Sequence, residues 1–203
     1  MHYFDDSSLE FEPLSIKAVL GTKVEEFVSA RGVFSANGLD KGTAVLLKYL
    51  NSERSQAFFR DDELNKVNIL DLGCGWGAIA IALARRFPSS QIWGVDVNKN
   101  ALHALSENCK KHNLKNIHAL LPEEVPENLE FGALVSNPPI RIGQENLREL
   151  LSYWAKQLNE TASVVMVVQK NLGSDSLLNY LSQSTFPNIE KLASSKGFRI
   201  LGC

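Results

Sequence analysis

Asp71-Leu72-Gly73-Cys74-Gly75-Trp76-Gly77 is the stretch of sequence that decides the fold of this chain. It ends an apolar segment, Val67 to Leu72, that is typical of a buried strand, and it leads into an apolar segment typical of a helix. Glycines at such a turn let the backbone approach a bound molecule closely, and open α/β sheets bind ligands there. The stretch therefore predicts a ligand site at the carboxyl end of a parallel strand, with a helix that begins near Trp76.

Strand-like and helix-like segments alternate downstream of this stretch, and the alternation predicts a parallel sheet with helices on both faces. The last two strand-like segments flank Ser194 to Gly197 and predict a closing hairpin, which places one antiparallel strand near the edge. The fold class is therefore α/β, with an open, mostly parallel sheet of seven strands. The predicted strands are Val67 to Leu72, Gln91 to Val97, Ile117 to Leu121, Phe131 to Ser136, Ser163 to Gln169, Ile189 to Ala193 and Phe198 to Cys203, and the predicted helices are Ala78 to Phe87, Lys99 to Asn113, Asn146 to Leu158 and Ser174 to Ser184.

The N-terminal part of the chain predicts an extension in front of this core. Leu14 to Leu20 and Val24 to Ala30 have strand character and are joined by a turn, so we expect a hairpin. Asp40 is placed to cap a following helix. At 203 residues the chain predicts one domain over residues 1–203, with the hairpin extension in 1–38 and the core in 39–203. Ser52 to Asn65 is polar and predicts a connection.

Composition narrows the classes of function. Hydrophobic residues make up 44% of the chain and charged residues 22%, and the longest purely apolar run, Ala78 to Ala84, is far below the roughly 20 residues that span a bilayer. We therefore expect no membrane segment, and the N-terminus lacks the basic and apolar parts of a secretory leader, which predicts a cytoplasmic location. Three scattered cysteines and four histidines without ligand spacing predict no metal. A net charge of −2 argues against strong nonspecific attachment to nucleic acid but does not exclude RNA.

The glycine stretch alone fits two kinds of ligand. Read as Gly-x-Gly-x-x-Ala through Ala78, it matches a dinucleotide fingerprint. Asp71 favours a ligand that carries an ammonium group, such as the methionine part of S-adenosylmethionine, because an anion there would repel a pyrophosphate. Asp96 follows the next strand and can accept hydrogen bonds from ribose hydroxyls, although it can equally cap the next helix. Glu123 can reach an adenine amino group, or it belongs to a solvated pair with Glu124.

Asn137-Pro138-Pro139-Ile140 follows the strand-like run Phe131 to Ser136 and indicates the chemistry. An amine that is to be methylated must be held with its lone pair toward the methyl group, so the site's main task is orientation. The side-chain oxygen of Asn137 and the main-chain oxygen of Pro138 can accept the two N–H hydrogens of a planar amine, which also stabilises positive charge on its nitrogen. The alternative is that Asn-Pro only begins a turn.

With both motifs in place, the chain resembles the class I S-adenosylmethionine-dependent methyltransferases, and within them the small-domain group that includes the ribosomal RNA guanine-N2 methyltransferases. Gly32 to Ser35 with Leu39 to Thr43 resembles the segment before the core in that group, and Asn137 to Gly143 resembles its catalytic loop. The resemblance implies S-adenosylmethionine as the cofactor, and ribosomal RNA or a ribosomal subunit as the partner. It assigns the catalytic role to Asn137, Pro138, Pro139 and Ile140, and the cofactor site to Asp40, Gly42, Thr43, Asp71, Leu72, Gly73, Cys74, Gly75, Asp96, Val97, Glu123 and Asn137.

The chain departs from that group in two ways. The large ribosomal enzymes of the group have two tandem domains, whereas this chain has the length of the catalytic half. They also carry an aromatic residue after the two prolines, where a flipped base can stack, whereas this chain has Ile140. Arg141 could replace that stacking, or Phe34 could close the pocket from the opposite side. Arg141 could equally be a phosphate contact or a surface residue.

Four functions remain open from the sequence. The leading hypothesis is methyl transfer to an exocyclic amine, guanine N2 of ribosomal RNA. A protein glutamine-amide methyltransferase has the same orientation problem and a similar Asn-Pro-Pro loop. A binding protein that keeps the cofactor fold without turnover, acting in assembly, and a dehydrogenase are the other two. Phe58-Phe59 is a candidate for either a loop anchor or a partner contact.

Overall fold

A computed structural model describes residues 10–56, 64 and 66–203. In that part of the chain, short 3₁₀ segments cover Pro122–Glu124, Ile140–Ile142 and Lys170–Leu172. The strands are β1 (Pro13–Ala18), β2 (Glu25–Ala30), β3 (Asn68–Leu72), β4 (Gln91–Val95), β5 (Ile117–Leu120), β6 (Phe131–Ser136), β7 (Leu158–Gln169), β8 (Glu190–Ser195) and β9 (Phe198–Gly202). The helices are α1 (Lys41–Leu50), α2 (Glu53–Gln56), α3 (Ala78–Arg86), α4 (Lys99–Lys111), α5 (Gln144–Ala155) and α6 (Ser174–Gln183).

The central sheet has seven strands in the order β5-β4-β3-β6-β7-β9-β8. The pairs from β5 to β7 are parallel, and β9 runs antiparallel to both of its neighbours, β7 and β8. β1 and β2 form a separate antiparallel hairpin. The predicted fold class is therefore confirmed, including the one antiparallel strand next to the edge and the N-terminal hairpin.

The sheet lies between two apolar cores, which is why its central strands read as continuous apolar runs. One core lies between the sheet and the layer formed by the hairpin, α1, α3 and α4. The other lies under α5 and α6, and Trp154 is its largest fully buried side chain. Within the described ranges, no helix has both the length and the apolar composition needed to cross a membrane.

Several boundaries differ from the predictions for local reasons. β7 begins at Leu158 instead of Ser163, because Leu158 pairs with Phe131 before a register shift carries β6 to its next pairing. α3 begins at Ala78, as predicted, after Gly77 with a φ of 98° ends the loop, and it ends at Arg86 instead of Phe87. The helix α2 lies inside the segment predicted as a connection. Phe58-Phe59 lies outside the described residues.

The hairpin packs on the face of the core that carries the glycine stretch. The ring of Phe27 is fully buried, with its centroid 5.3 Å from that of Trp76 and 4.6 Å from that of His112. Two hydrogen bonds of 2.7 and 3.1 Å join the Arg85 guanidinium to the carboxylate of Glu25. The hydrogen bond from Arg85 is the main reason that the pKa of Glu25 is lowered. An aromatic contact and an ion pair thus attach the hairpin to the core.

Asn108 of α4 joins the hairpin to the glycine stretch. Its side chain is fully buried, its Oδ1 accepts from the Val28 amide at 2.7 Å, and its Nδ2 donates to the oxygens of Val28 and Trp76 at 2.8 and 2.9 Å. One amide side chain therefore pairs with the edge of β2 as a neighbouring strand would. The same group fixes the backbone of Trp76. No pattern in the sequence distinguishes Asn108 from a surface asparagine of an amphipathic helix.

Replacing Asn108 by Ala should lower the free energy of unfolding by about 2–4 kcal/mol, because three buried backbone groups lose their partner. Urea denaturation followed by circular dichroism measures this loss. The control is Asn179→Ala, a change at an exposed position of α6, for which we expect less than about 0.5 kcal/mol. Equal stability of the two variants would contradict the role given to Asn108.

Candidate cofactor and acceptor site

The glycine stretch and the Asn-Pro-Pro loop leave the sheet side by side. Leu72 at the end of β3 is the register partner of Ser136 at the end of β6. The buried Ser136 hydroxyl donates to the Leu72 carbonyl at 2.6 Å, which fastens the two strand ends together. A Cβ built on Gly73 would lie 3.7 Å from Cδ of Pro139. The two motifs that the sequence singled out are therefore neighbours in space.

The glycine loop is held close to β4 by its own backbone. The amides of Gly73 and Cys74 donate to the Val95 carbonyl at 2.8 and 3.1 Å. Gly73 has a φ of 74°, in the left-handed region that favours glycine. Gly77 is required for packing as well, because a Cβ there would lie 2.3 Å from Cδ1 of Leu105. Sequence reasoning addressed Gly73 and Gly75 but missed Gly77.

A cleft that opens to solvent lies over this loop. Of the residues predicted for the site, seven line the cleft, and the rest do not. Asn137 lies on the same cleft as Gly73 and Gly75, which is the arrangement that the sequence interpretation required. The lining residues are Phe34, Ser35, Leu39, Asp40, Thr43, Gly73, Cys74, Gly75, Trp76, Ala78, Ile79 and Asn137.

The other predicted cofactor residues do not line the cleft. Asp71 and Leu72 are buried in the end of β3. Gly42 is buried beside Asp40, and the carboxylate of Asp96 lies behind the glycine loop. Val97 is 50% exposed, and Glu123 is exposed.

The second half of the predicted catalytic loop does not face the cleft. Pro138 is buried and Pro139 is exposed. Ile140 is partly buried and packs against the core under α5 and α6, on the other face of the sheet. Arg141 is exposed. Phe34 lines the cleft and is 57% exposed, which makes it the exposed aromatic side chain at this cleft.

Asn137 is held by its amide nitrogen. Nδ2 donates to Oδ2 of Asp40 and to Oγ1 of Thr43, both at 2.9 Å. An ionised carboxylate only accepts hydrogen bonds, so the nitrogen and not the oxygen of the amide must face Asp40. No described residue donates to Oδ1 of Asn137. That oxygen is available to a donor from a ligand.

Asp40 caps α1, as the sequence predicted. Its Oδ2 accepts from the amide of Thr43 at 2.9 Å, the third residue of the helix. The same oxygen receives Nδ2 of Asn137. No sequence pattern indicates this second contact, because 97 positions separate the two residues.

A tight turn shapes the backbone that follows Asn137. The amide of Ile140 donates to the Pro138 carbonyl at 2.8 Å, and Pro139 has φ −74° and ψ 74°. These angles are those of an inverse γ-turn. The Pro138 oxygen was predicted to accept from the amine, and here it already accepts one hydrogen bond. A carbonyl oxygen has two lone pairs, so a second donor can still be accepted.

Asp71 is a fully buried carboxylate next to the cleft. Its Oδ2 accepts from the amide of Ala80 at 2.8 Å, which satisfies the first turn of α3, and Oδ1 has no partner among the described residues. Burial raises the pKa of Asp71 to about 8, the hydrogen bond from Ala80 lowers it, and the charge of Asp96 raises it further. A cation bound nearby would favour the ionised form of Asp71.

Asp96 links the glycine loop to the end of β4. Its Oδ2 accepts from the amide of Gly75 at 2.9 Å and its Oδ1 from the amide of Asn98 at 3.0 Å. Burial raises the pKa of Asp96, and these hydrogen bonds lower it. The cap of α4 is Asn98, whose Oδ1 accepts from the amides of Asn100 and Ala101. The alternative that Asp96 itself caps that helix is therefore wrong.

Some residues of the site were not found from the sequence. Ser136 and Ile79 have no motif that marks them, and Leu39 stands in the segment that resembles the family but was not assigned to the site. Asn98 donates through Nδ2 to the Gly32 carbonyl at 3.0 Å, which fixes the loop that carries Phe34. Only its position just after Asp96 could have drawn attention to it. Among the described residues, no group of three or more His, Cys, Asp or Glu side chains is arranged to hold a metal ion.

The family is shown by comparison with known proteins. Residues 25–202 match the model of the methyltransferase small domain, and the chain belongs to this family. The predicted class of protein is therefore confirmed. Methyltransferases of this family take the methyl group from S-adenosylmethionine, so the predicted cofactor is confirmed with it.

Two relatives show how the chain compares with longer and equally long proteins. It is 28% identical over 204 residues to the uncharacterized protein YbxB of Bacillus subtilis, covering 98% of this chain and 96% of that one. It is 32% identical over 186 residues to the ribosomal RNA small subunit methyltransferase C of Acinetobacter baylyi, covering 87% of this chain and 50% of that one. The chain thus spans about half the length of the named ribosomal enzymes it matches.

A solved structure confirms the fold. The T. thermophilus 16S rRNA N2 G1207 methyltransferase (RsmC), in complex with AdoMet and guanosine, matches with a TM-score of 0.76 at 22% identity. The match covers 95% of this chain and 50% of that chain. At this identity the likeness concerns the fold alone. One domain over residues 1–203 stays a prediction.

The contribution of Asp71 to stability should fall as the pH rises from about 4 to about 8, because its carboxyl has the ordinary pKa of 3.8 when unfolded and a pKa of about 8 when folded. In that interval the folded state binds the extra proton, so raising the pH favours unfolding. Asp71→Asn should remove this part of the pH dependence of stability, because the asparagine side chain does not ionise. The variant should still fold, since Oδ1 of the new asparagine can accept from the Ala80 amide. Melting temperatures of both proteins between pH 5 and pH 9 measure the difference.

The matched control for this titration is Glu123→Gln, which changes an exposed carboxylate. It should follow the wild-type curve. An Asp71→Asn curve parallel to that of the wild type would contradict the assignment of the raised pKa to Asp71.

Proposed function

We propose that this protein transfers the methyl group of S-adenosylmethionine to an exocyclic amine, guanine N2 of ribosomal RNA. The observation that carries the proposal is the position of Asn137. It lines the same cleft as Gly73 and Gly75, and its amide nitrogen is bound by Asp40 and Thr43. The amide oxygen is thereby left to accept from the amine.

The described residues fit the cofactor. The backbone of Gly73 to Gly75 would hold the cofactor, and the Asp96 carboxylate would accept from its ribose. The unpartnered Oδ1 of the buried Asp71 supports a cationic ligand nearby. Cys74 lines the cleft and would contact the cofactor in this proposal, whereas the predicted contacts Gly42, Leu72, Val97 and Glu123 do not line it.

The chemistry of the step is simple, and most of the work of the protein is orientation. When bound, S-adenosylmethionine supplies an electrophilic methyl group, which the acceptor nitrogen takes with its lone pair while sulfur keeps the electrons of the broken C–S bond. Oδ1 of Asn137 would hold one N–H of the acceptor, and the second lone pair of the Pro138 oxygen would hold the other. Both oxygens stabilise the positive charge that develops on nitrogen, and one proton then leaves to water.

The acceptor is proposed from the relatives and from the shape of the site. The relatives of which this chain covers about half the length are named ribosomal RNA small subunit methyltransferases. Phe34 at the mouth of the cleft would stack on a flipped base, because Ile140 is engaged in the core. Arg141 is exposed and would contact a phosphate. Ribosomal RNA or a ribosomal subunit is the partner in this proposal, and a cytoplasmic location belongs to it.

The experiment that tests the function uses labelled methyl groups. The protein is incubated with methyl-labelled S-adenosylmethionine and with ribosomal subunits or their extracted RNA. The RNA is digested to nucleosides, and the protein fraction is hydrolysed separately. We expect label in N2-methylguanosine. Label in a protein amide would indicate a glutamine-amide methyltransferase, and binding of the cofactor without any transfer of label would indicate a non-catalytic assembly protein.

Asn137→Ala should lower kcat by roughly 100- to 1,000-fold, because the acceptor loses a preorganised oxygen that stabilises its developing charge. Binding of the cofactor, measured by calorimetry, should stay within about threefold, since the glycine loop is unchanged. Asn179→Ala, at an exposed position of α6, is the control for an asparagine change outside the cleft. A kcat for Asn137→Ala equal to that of the control would exclude this role for Asn137.

Phe34→Leu should raise the KM for RNA by roughly 5- to 20-fold, because stacking of an aromatic ring on a base is lost while an apolar side chain remains. Phe34→Tyr keeps the ring and should stay close to the wild type. Steady-state kinetics with RNA as the varied substrate distinguish the two. A similar KM for Leu and Tyr would show that the ring does not stack on the acceptor base.

A further inference from the structure

The amide of Asn137 is bound by two residues from a distant part of the chain. Asp40 and Thr43 stand at the start of α1, whereas Asn137 follows β6. Nδ2 has two hydrogens, and each has an acceptor at 2.9 Å, the carboxylate of Asp40 and the hydroxyl of Thr43. The donor capacity of the amide is therefore fully used. The resemblance placed both residues among the cofactor contacts, and both line the cleft.

We propose that Asp40 and Thr43 are positioning residues for Asn137, which fix its amide in one orientation and strengthen its oxygen as an acceptor. This inference rests on the proposed methyl transfer, and it names what prepares the site for the amine. The two residues act through Asn137. Neither has to touch the cofactor.

Chemistry allows only one orientation of the amide. With the amide turned by 180°, Oδ1 would face the Asp40 carboxylate, and two acceptors would meet without a hydrogen between them. The observed orientation instead makes a hydrogen bond to a charged group, which is roughly twice as strong as a neutral one. The orientation is thus set before any ligand binds, which is the preorganisation that oriented acceptors require.

The negative charge of Asp40 also affects the far end of the amide. Hydrogen bonds in a chain polarise one another, so a carboxylate on the N–H side of Asn137 increases the negative charge on Oδ1. A more negative oxygen holds an amine that becomes positive more tightly. The effect grows during the reaction and therefore favours the transition state over the ground state.

Gly42 adds an independent observation at the same place. A Cβ on Gly42 would lie 3.0 Å from Oδ2 of Asp40 and 3.0 Å from Cε1 of Phe198. The space left by Asp40 and Phe198, and not the backbone conformation, favours glycine at this position. In Asp40-Lys41-Gly42-Thr43, the first residue supplies the cap and the carboxylate, the third leaves room for that carboxylate, and the fourth supplies the hydroxyl.

The test compares variants that change one contact each. Thr43→Val removes the hydroxyl acceptor at almost the same volume and keeps the backbone amide that Asp40 caps. Thr43→Ser keeps the hydroxyl and is the matched control. Asp40→Ser keeps a capping oxygen, since serine is a good cap, but withdraws the carboxylate from Asn137. Should Thr43→Val fail to fold, Thr43→Ala takes its place.

Two readouts separate positioning from cofactor binding. The first is the side-chain amide signal of Asn137 in a nitrogen-15 spectrum of the protein without ligands, assigned by its loss in Asn137→Ala. We expect Thr43→Val and Asp40→Ser to shift this signal and to speed its hydrogen exchange. The second is kinetics: kcat should fall about 10-fold or more, with the Kd of the cofactor unchanged, and Thr43→Ser should restore most of the rate.

A double-mutant cycle decides the outcome. In an Asn137→Ala background, Thr43→Val should cost no further rate, because residues that act as a unit are not additive. An unmoved Asn137 signal, or an equal loss of rate in both backgrounds, would overturn the positioning role. Failure of the proposed function looks different: the amide signal still responds to Thr43→Val, but Asn137→Ala leaves methyl transfer intact.

Discussion

The pairing of β3 with β6 is the constraint on which the site depends. These strands are parallel and adjacent in the sheet, so both end at the same edge, and Leu72 and Ser136 are the last pair of their register. The hydroxyl of Ser136 fastens that pair. The glycine loop continues from one strand and Asn137 from the other. A shift of one residue in this register would turn the side chains at the strand ends to the opposite face of the sheet and separate the two motifs.

The fully buried carboxylate of Asp71 and the partly buried carboxylate of Asp96 determine the charge next to the cleft. Asp71 and Asp96 lie behind the glycine loop, and the pKa of each is raised chiefly by burial. An anionic pyrophosphate at this loop would face both of them, which argues against a dehydrogenase. A cation would stabilise their ionised forms. The same arrangement that is costly for the free protein thus favours a ligand with a sulfonium and an ammonium group.

Much of the fold and of the cleft was predictable from the sequence, because periodic patterns and short motifs report on neighbouring residues. The alternation of strand-like and helix-like segments predicted the parallel sheet, and the position of each motif at the end of a strand predicted the shared cleft. The contacts that complete the site are long-range and unpatterned. Asn108 bonds to a strand 80 positions away, and Asn137 bonds to Asp40 97 positions away. The packing of Ile140 against the core under α5 and α6 could not be predicted either, because its neighbours in sequence do not determine on which face of the sheet it packs.

The most direct test is a crystal structure of the protein with S-adenosylhomocysteine and guanosine. We expect the exocyclic nitrogen of guanine to lie within about 3.2 Å of the amide oxygen of Asn137, a hydrogen-bond distance. The amide nitrogen of Asn137 should stay on Asp40 and Thr43 in that complex. A guanine bound away from Asn137, or an amide turned so that its nitrogen faces the ligand, would contradict the central claim.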